Sequence, residues 1–305
     1  MRSSYFLSFG KSQSWILSCV PELQEWLDFI ANIMELPVHH NSIINARTIH
    51  CTKRTLPIID NEAIGCMQVL SDGGWRIDYG TVALTFRQDG RVFAEVLHNI
   101  DYVIDIYNIS YILFPIYIAI VENGGLVLHA AAAMKYGKAW LLAGSSGAGK
   151  STCSRNLQDG WTSLCDDMCL IVFDKNQYFV YPMPTWSQII ENHKKAKSWS
   201  CSTGIPLQGI FFLKQASENR LKSVEGYAEK TIMLNKSAGE HWKNLMFAFS
   251  KSTVKTRLLN TFVFNNAQRL ARIVPFYELS VSLHGQFWKY MDIATKEVSA
   301  DAAVV

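Results

Sequence analysis

The sequence predicts an α/β fold for residues 125–305 and an α+β region for residues 1–124. Three observations support this prediction. An apolar strand-like run, a glycine-rich turn and a helix-compatible segment follow one another over residues 139–158. Short apolar runs separated by glycine-containing turns occupy residues 51–96. The composition is 49% hydrophobic and 18% charged, as in a globular protein with a substantial core.

The N-terminal region contains the pattern of one helix followed by several strands. Pro21 opens a segment whose apolar residues recur at helical spacing: Leu23, Trp26, Leu27, Ile30, Ile33 and Met34. After it, the glycine turns at Asp72-Gly73-Gly74, Tyr79-Gly80 and Asp89-Gly90 separate apolar runs, which predicts a meander of strands. This region carries no chemical motif.

Residues 101–121 are predicted to form a helix that Asn123-Gly124-Gly125 ends. The stretch is long, but Asp105 and Pro115 interrupt its apolar character. A membrane-spanning helix needs about 20 predominantly apolar residues, and a charge within it is costly. We therefore predict a buried core helix and no membrane contact. The change of pattern near Gly124 is taken as the domain boundary.

Two apolar runs after this boundary predict a β-hairpin. The first covers Leu126 to Met134, and the second covers Ala139 to Ala143. The second strand leads directly into a glycine-rich segment, which a predicted helix over residues 150–158 follows. Asp159-Gly160 is predicted to cap the end of that helix.

The glycine-rich segment matches the pattern G-x-x-x-x-G-K-[ST] in full; it consists of Gly144, Ser145, Ser146, Gly147, Ala148, Gly149, Lys150 and Ser151. Glycines permit positive φ, and successive N–H groups then form an anion-binding nest that faces the following helix terminus. Lys150 is predicted to contact the β- and γ-phosphates, and the Ser151 hydroxyl to ligate Mg²⁺. Together with Thr152, this segment is the predicted site for ATP and Mg²⁺.

Two adjacent carboxylates, Asp166 and Asp167, follow a short strand predicted at residues 161–164 and precede an apolar run at residues 168–173. One carboxylate can hold Mg²⁺ and the other can accept a proton from an attacking hydroxyl. Adjacent strand residues face opposite sides, so different roles are expected for the two. The alternative is an ordinary Asp-Asp turn in a hairpin.

His129 lies 21 residues before Lys150, on the strand expected beside the loop strand. A lone histidine in an apolar strand is more often a hydrogen-bonded core residue than a functional one. The position therefore gains weight only in combination with the glycine-rich segment and the aspartate pair.

Charge and cysteine content exclude several classes. The net charge of +3 on 305 residues does not indicate nucleic-acid binding. The basic cluster at residues 193–197 is interpreted as a solvated helix face, or as a contact for a negatively charged partner. Seven cysteines without a CxxC pair argue against zinc and indicate reduced thiols in a cytoplasmic protein. The first ten residues lack the long apolar region of a signal peptide.

These motifs in this order resemble the catalytic core of HPr kinase/phosphorylase and its relatives. The resemblance covers residues 125–173 and rests on Leu128-His129-Ala130-Ala131, the segment from Gly144 to Ser151, and Asp166-Asp167. It implies a P-loop kinase domain similar to phosphoenolpyruvate carboxykinase, and transfer of phosphate to a serine hydroxyl. Relatives of this family form oligomers, so a homo-oligomer is an expectation.

The resemblance also implies roles for single residues. Lys150 and Ser151 match the lysine and the metal-binding serine of the family's phosphate loop. Asp166 matches the general base and Asp167 its metal-side partner. His129 matches the histidine that supports this centre, so the implied catalytic residues are Asp166, His129 and Lys150.

The chain departs from the bifunctional members of the family. Their signature with Glu and Arg corresponds here to residues 202–210, which contain neither residue. This argues against phosphorylase activity and against HPr as acceptor, and it removes one metal-side carboxylate. The N-terminal segment does not resemble their regulatory domain either.

A subgroup is more similar, namely the HPr-kinase-like enzymes of lasso peptide biosynthesis, which phosphorylate the C-terminal serine of a precursor peptide. The similarity rests on Tyr5 to Gly10, Pro21-Glu22-Leu23 and Pro182-Met183-Pro184-Thr185-Trp186-Ser187. The resemblance implies that residues 1–124 and the last of these segments hold the peptide. The alternative for the last segment is a proline-rich loop that packs Trp186 into the core.

Three hypotheses about function follow. The first is a serine kinase acting on a precursor peptide, and the second is a kinase of an HPr-like small protein or of free serine. The third belongs to another class: a nucleotide-dependent switch or scaffold without catalysis.

Overall fold

The computed structural model of the protein describes residues 3–10, 13–40, 46–55, 67–99, 101–192, 197–245 and 254–302. The chain divides into two compact units. The first contains residues 1–122, 184–203 and 242–260, and the second contains residues 123–183, 204–241 and 261–305. Each unit combines helices with a mixed sheet, which confirms the predicted α/β class at this level. The sequence division at residue 124 is a single cut, whereas two later segments also belong to the first unit.

The sheet of the first unit has seven strands: β1 (Tyr5–Ser8), β2 (Ser14–Cys19), β3 (Arg47–Lys53), β4 (Met67–Val69), β5 (Trp75–Asp78), β6 (Val82–Phe86) and β7 (Arg91–Val96). Their spatial order is β1-β2-β3-β7-β6-β5-β4. The predicted meander is confirmed for β4 to β7, which pair as antiparallel neighbours. By contrast, β3 pairs in parallel with β7 and β2. Apolar spacing specifies a strand but not a partner distant in sequence.

The helices of this unit are α1 (Gln24–Ile33), which continues a 3₁₀ turn at Pro21–Leu23, α2 (Tyr102–Ile112), α3 (Phe114–Glu122) and α5 (Trp186–Asn192). The predicted single helix at residues 101–121 is therefore two helices. Pro115 lacks the N–H that a continuous helix would need and is tolerated only in the first turn of α3. Asp101 caps α2 by accepting the Val103 N–H at 2.7 Å.

The stretch Tyr102–Glu122 is long and apolar enough to cross a membrane, but 67% of its most apolar window is buried inside the protein. Every residue of α3 except Glu122 is buried. This is the burial expected of the predicted core helix. Trp186 is also buried, at 8% exposure, as expected if the proline-rich segment packs into the core.

The second unit contains nine strands: β8 (Leu126–Leu128), β9 (Ala130–Lys135), β10 (Lys138–Ala143), β11 (Thr162–Cys165), β12 (Cys169–Asp174), β13 (Gln177–Pro182), β14 (Ile205–Gln215), β15 (Arg220–Ser223) and β16 (Phe276–Val281). The order is β11-β9-β10-β14-β13-β12-β8, and β16 pairs with both β14 and β15. The central strands β10, β14 and β16 are parallel. Their carboxyl ends therefore meet at one edge of the sheet.

The helices of the second unit are α4 (Lys150–Arg155), α8 (Phe287–Ala302) and the larger parts of α6 (Tyr227–Leu245) and α7 (Val254–Ile273). The helix predicted at residues 150–158 ends three residues earlier, with Asn156 as its C-cap. Asp159 and Gly160 have φ of 55° and 83° and form the turn before β11. The predicted cap at Asp159-Gly160 was therefore wrong, since positive φ marks a turn as readily as a helix end.

The predicted hairpin is confirmed for β9 and β10, which pair as antiparallel neighbours. The run predicted as one strand over residues 126–134 breaks at His129. Strand β8 pairs with β12, whereas β9 pairs with β10 and β11. Between them, the His129 N–H and C=O both bond to Ser237 of α6, at 3.4 and 3.1 Å. His129 therefore leaves the sheet ladder and faces α6.

The core beneath the loop strand centres on Trp140 of β10, which is fully buried. Its ring stacks on Phe211 with centroids 4.9 Å apart and also lies against Gly209. A Cβ at position 209 would lie 2.4 Å from the Trp140 ring, so only glycine leaves room for it. This packing of β10 against β14 holds the strand that carries the glycine-rich segment.

Candidate functional site

The segment from Gly144 to Ser151, called the glycine loop below, connects β10 to α4. Gly144, Gly147 and Gly149 have φ of 154°, 78° and 101°, in the region that favours glycine. At Gly144 space is also limiting, because a Cβ would lie 2.9 Å from the Ala148 Cβ and 3.2 Å from the Leu213 carbonyl oxygen. At the other two positions a Cβ meets nothing, so conformation alone selects glycine there.

The glycine loop is held in place by two side chains. Lys150 is buried, and its Nζ donates to the carbonyl oxygens of Gly144 and Ser145 at 2.8 and 3.1 Å. Gln215, at the end of β14, donates its Nε2 to the Gly147 carbonyl at 2.7 Å. Within this frame Ser145, Ser146 and Thr152 are exposed, whereas Ser151 is half-buried. The exposed part of the loop is therefore accessible to a ligand.

Burial lowers the pKa of Lys150 below its usual value of 10.5, and the carboxylates of Glu240 and Asp167 oppose this effect. Between the lowered pKa and 10.5, the unfolded chain binds more protons than the folded chain. The contribution of Lys150 to the free energy of unfolding therefore rises with pH in this window. At pH values below the lowered pKa, the folded protein bears the full cost of burying the charge.

We expect the free energy of unfolding of the wild type to rise from pH 7 to pH 10 relative to that of Lys150→Met. Denaturant titrations of both proteins at the two pH values measure this difference, because the other titrating groups are shared. Lys138→Met, which removes an exposed lysine of β10, is expected to follow the wild type. A constant or falling difference between wild type and Lys150→Met would contradict the assigned effect of burial.

His129 bridges two carboxylates. Its Nε2 lies 3.2 Å from Asp167 Oδ1, and its Nδ1 lies 3.0 Å from Glu240 Oε2. The imidazole is three-quarters buried, with a side-chain exposure of 25%. His129 is thus not a solitary core histidine, and its two contacts fix the orientation of its ring.

The two adjacent aspartates have different surroundings, as the sequence predicted. Asp166 is 5% exposed, and its Oδ2 lies 3.7 Å from the Arg155 Nη2. The Asp167 side chain is 49% exposed and contacts His129. They lie in the bend between β11 and β12. These strands are not partners, because β11 pairs with β9 and β12 pairs with β8 and β13, so the alternative of a hairpin turn was wrong. The two side chains lie in separate environments.

Glu240 is the residue that the sequence interpretation missed. It lies on α6, 111 residues after His129, and no motif surrounds it. The only local signal is its spacing of three residues from Ser237, which puts both on one helical face toward His129. Glu240 thus adds a carboxylate beside His129 that no local pattern in the sequence predicts.

Two cavities flank the glycine loop. One, of about 440 Å³, lies at the carboxyl ends of β10, β14 and β16. The other, of about 220 Å³, is lined by Gly144 and Ser145 on one side and by Lys236, Ser237 and Glu240 of α6 on another. The second cavity therefore joins the glycine loop to the carboxylate that contacts His129.

The cysteines show no metal-binding arrangement in the part of the chain that the structure describes. Six of them are buried and form no disulfide among the described residues, and Cys66 lies outside those residues. Cys165 and Cys169, on either side of the aspartates, have sulfurs 3.3 Å apart. No group of three metal-ligating His, Cys, Asp or Glu residues occurs among the described residues. Residues 193–196 of the basic cluster also lie outside them, and the cytoplasmic location stays a prediction.

Fold and site together define a mixed α/β protein with a glycine loop of the G-x-x-x-x-G-K-S type, beside an Asp–His–Glu chain of contacts. A family model described as SynChlorMet cassette protein ScmC matches residues 92–296. Because the match covers two thirds of the sequence, the chain belongs to the ScmC family. A search of curated proteins finds no significant match.

Proposed function

We propose that the protein is an ATP- and Mg²⁺-dependent kinase that phosphorylates a serine hydroxyl, with a precursor peptide as the acceptor. The observation that carries this proposal is the 220 Å³ cavity that the glycine loop shares with Glu240. Through His129, Glu240 is connected to Asp167, one member of the aspartate pair. A loop suited to phosphates and a group of carboxylates suited to proton transfer thus occupy neighbouring positions in one unit.

The glycine loop fits the phosphates of a nucleoside triphosphate. Its positive-φ glycines allow close approach of the backbone, and N–H groups in such a conformation bind anions. The Lys150 ammonium is held on loop carbonyls and can turn toward a phosphate without leaving the loop. These features favour a bound triphosphate over a neutral ligand.

The available donors also fit Mg²⁺. Mg²⁺ prefers oxygen ligands and is usually held by one or two carboxylates together with substrate phosphates, rather than by a cage of protein groups. Ser151 and Asp167 would hold it together with the phosphates. When bound, the ion would neutralise charge that develops on the phosphates.

The proposed chemical step gives Asp166 the role of base that the resemblance implies. The acceptor hydroxyl oxygen forms a bond to the γ-phosphorus while the bond from that phosphorus to the bridging oxygen of ADP breaks. The hydroxyl proton passes to the Asp166 carboxylate. Lys150 offsets the charge on the transferring phosphoryl group. His129 orients Asp167 and is itself oriented by Glu240.

Intact-mass spectrometry tests the proposal. The protein is incubated with ATP, Mg²⁺ and one of three acceptors: a lasso precursor peptide ending in serine, the HPr protein, or free serine. We expect one phosphate mass on the peptide and none on the same peptide with that serine replaced by alanine. Transfer to HPr or to free serine instead would show that the acceptor is that molecule and not the peptide. Nucleotide binding without transfer to any of the three would favour the switch hypothesis.

Glu240→Gln is expected to lower turnover about 10- to 100-fold, the range for residues that orient a functional group from behind. The substitution keeps the shape of the side chain but removes the charge that positions His129. We therefore expect kcat to fall while the KM for ATP changes little. Steady-state kinetics measures the two separately. Glu229→Gln, which changes an exposed glutamate of the same helix, is the matched control. Equal kcat in both variants would contradict the positioning role.

A further inference from the structure

The larger cavity beside the glycine loop is not used by the chemistry described above. It has a volume of about 440 Å³, within the usual range of roughly 300–1,000 Å³ for pockets that bind small molecules. Gly149 and Thr152 form its border with the glycine loop, and Ala216 and Leu283 belong to its other walls. Any ligand whose phosphates lie on the loop can therefore extend into this cavity.

Its position in the sheet indicates a binding site. Ala216 directly follows β14, and the segment 282–285 directly follows β16. With the glycine loop after β10, three parallel strands thus contribute their carboxyl-end loops to one cavity. Ligands of open α/β sheets bind outside the carboxyl ends of parallel strands.

The walls suit a flat, largely apolar group. Phe287 and Trp288 line the cavity and are 4% and 7% exposed. The Trp288 indole N–H donates to Asp159 Oδ2 at 2.8 Å, which fixes the ring against the wall. The lining also contains Asn156 and Gln158, whose amides can both donate and accept hydrogen bonds.

Leu283 is the most unusual member of this wall because it is 82% exposed. Its turn is ordered: the Ser282 N–H donates to Asn219 Oδ1 at 2.8 Å, and the Gly285 N–H donates to the Ser282 carbonyl at 3.2 Å. A Cβ on Gly285 would lie 2.1 Å from the Asn219 side chain, so the turn requires glycine there. The turn therefore presents an apolar side chain at the mouth of the cavity.

We propose that this cavity binds the nucleoside half of the nucleotide, with the base between the Phe287–Trp288 wall and Leu283. The proposal rests on the proposed function only in that the glycine loop binds the phosphates. It assigns the contacts with the base to α8 and to the segments that follow β14 and β16. The glycine-loop motif does not predict these contacts. Base recognition and phosphate binding are then carried by separate groups.

Two variants test the assignment against nucleotide and tripolyphosphate as separate ligands. Ala216→Phe places a ring in the cavity, and Leu283→Ala removes the side chain at its mouth. Calorimetry measures the affinity of each variant for ATP and for inorganic tripolyphosphate. The matched controls are Ala228→Phe on α6 and Ile293→Ala on α8, which alter exposed residues outside the cavity lining.

We expect Leu283→Ala to weaken ATP binding about tenfold, because the variant loses apolar surface that the base would cover at the mouth of the cavity. A tenfold change corresponds to about 1.4 kcal/mol. Ala216→Phe should weaken ATP binding about 100-fold or more by exclusion. Both variants should bind tripolyphosphate like the wild type, which also shows that the loop is folded.

Wild-type ATP affinity in Ala216→Phe, with tripolyphosphate still bound, would overturn the assignment and leave the proposed function intact. Equal loss of ATP and tripolyphosphate binding in Ala216→Phe would also overturn it, provided that Leu283→Ala retains full ATP affinity. Failure of the wild type to bind either ligand would overturn both proposals together.

Discussion

Replacing Lys150 by methionine is expected to lower kinase turnover about 10³-fold, equivalent to about 4 kcal/mol of transition-state stabilisation. The Lys150 ammonium is buried and bonded to the Gly144 and Ser145 carbonyls. It is thus a charge held at the place where the phosphates are expected, and methionine keeps its length while removing that charge. Single-turnover kinetics with saturating ATP and the peptide acceptor measures the loss.

Arginine at this position is not expected to restore activity. Its planar guanidinium cannot reproduce the point charge of an ammonium packed into the loop. Lys138→Met, at the exposed start of β10, controls for a general loss of positive charge. A Lys150→Met protein with turnover within tenfold of wild type would show that the glycine loop does not carry the reaction.

Asp166→Asn is expected to lower turnover about 10²- to 10⁴-fold while nucleotide affinity stays within a few-fold of wild type. The amide keeps the size of the buried carboxyl group but cannot accept the hydroxyl proton. Asp167→Asn is expected to have a different effect: it should raise the Mg²⁺ concentration at which activity is half-maximal. Rates measured over a range of Mg²⁺ concentrations therefore separate the two carboxylates.

The control for this pair is Asp174→Asn, which removes a carboxylate at the far end of β12. A Mg²⁺ shift in Asp166→Asn together with a loss of turnover at saturating Mg²⁺ in Asp167→Asn would reverse the two roles. Full activity of both variants would contradict a catalytic role for the aspartate pair and return weight to the switch hypothesis.

Local patterns predicted most of the secondary structure because the forces concerned act over a few residues. The glycine turn at Asp89-Gly90 follows from φ preferences, and the β9–β10 hairpin follows from two apolar runs separated by a turn at Tyr136-Gly137. Where such rules compete, prediction failed. Asp159-Gly160 satisfied a helix-end rule and a turn rule alike, and the structure follows the second.

The site divides in the same way. Local sequence patterns identify the glycine loop with its Lys150, and also the aspartate pair. Each is a short segment whose chemistry depends on its neighbours in the chain. Glu240 is not, because its function depends on a contact with His129 across 111 residues. Only packing of α6 against the break between β8 and β9 brings it there.

The sequence alone thus determined the α/β class, the glycine loop and the candidate residues His129, Asp166 and Asp167, which lie within 16 positions of that loop. The tertiary structure alone decided which strands pair in parallel, that His129 leaves the sheet, and which loops surround the 440 Å³ cavity. The physical reason is that dihedral preferences and apolar spacing are local properties of the chain. Pairing and packing instead depend on the free energy of the whole fold, to which residues far apart in sequence contribute together.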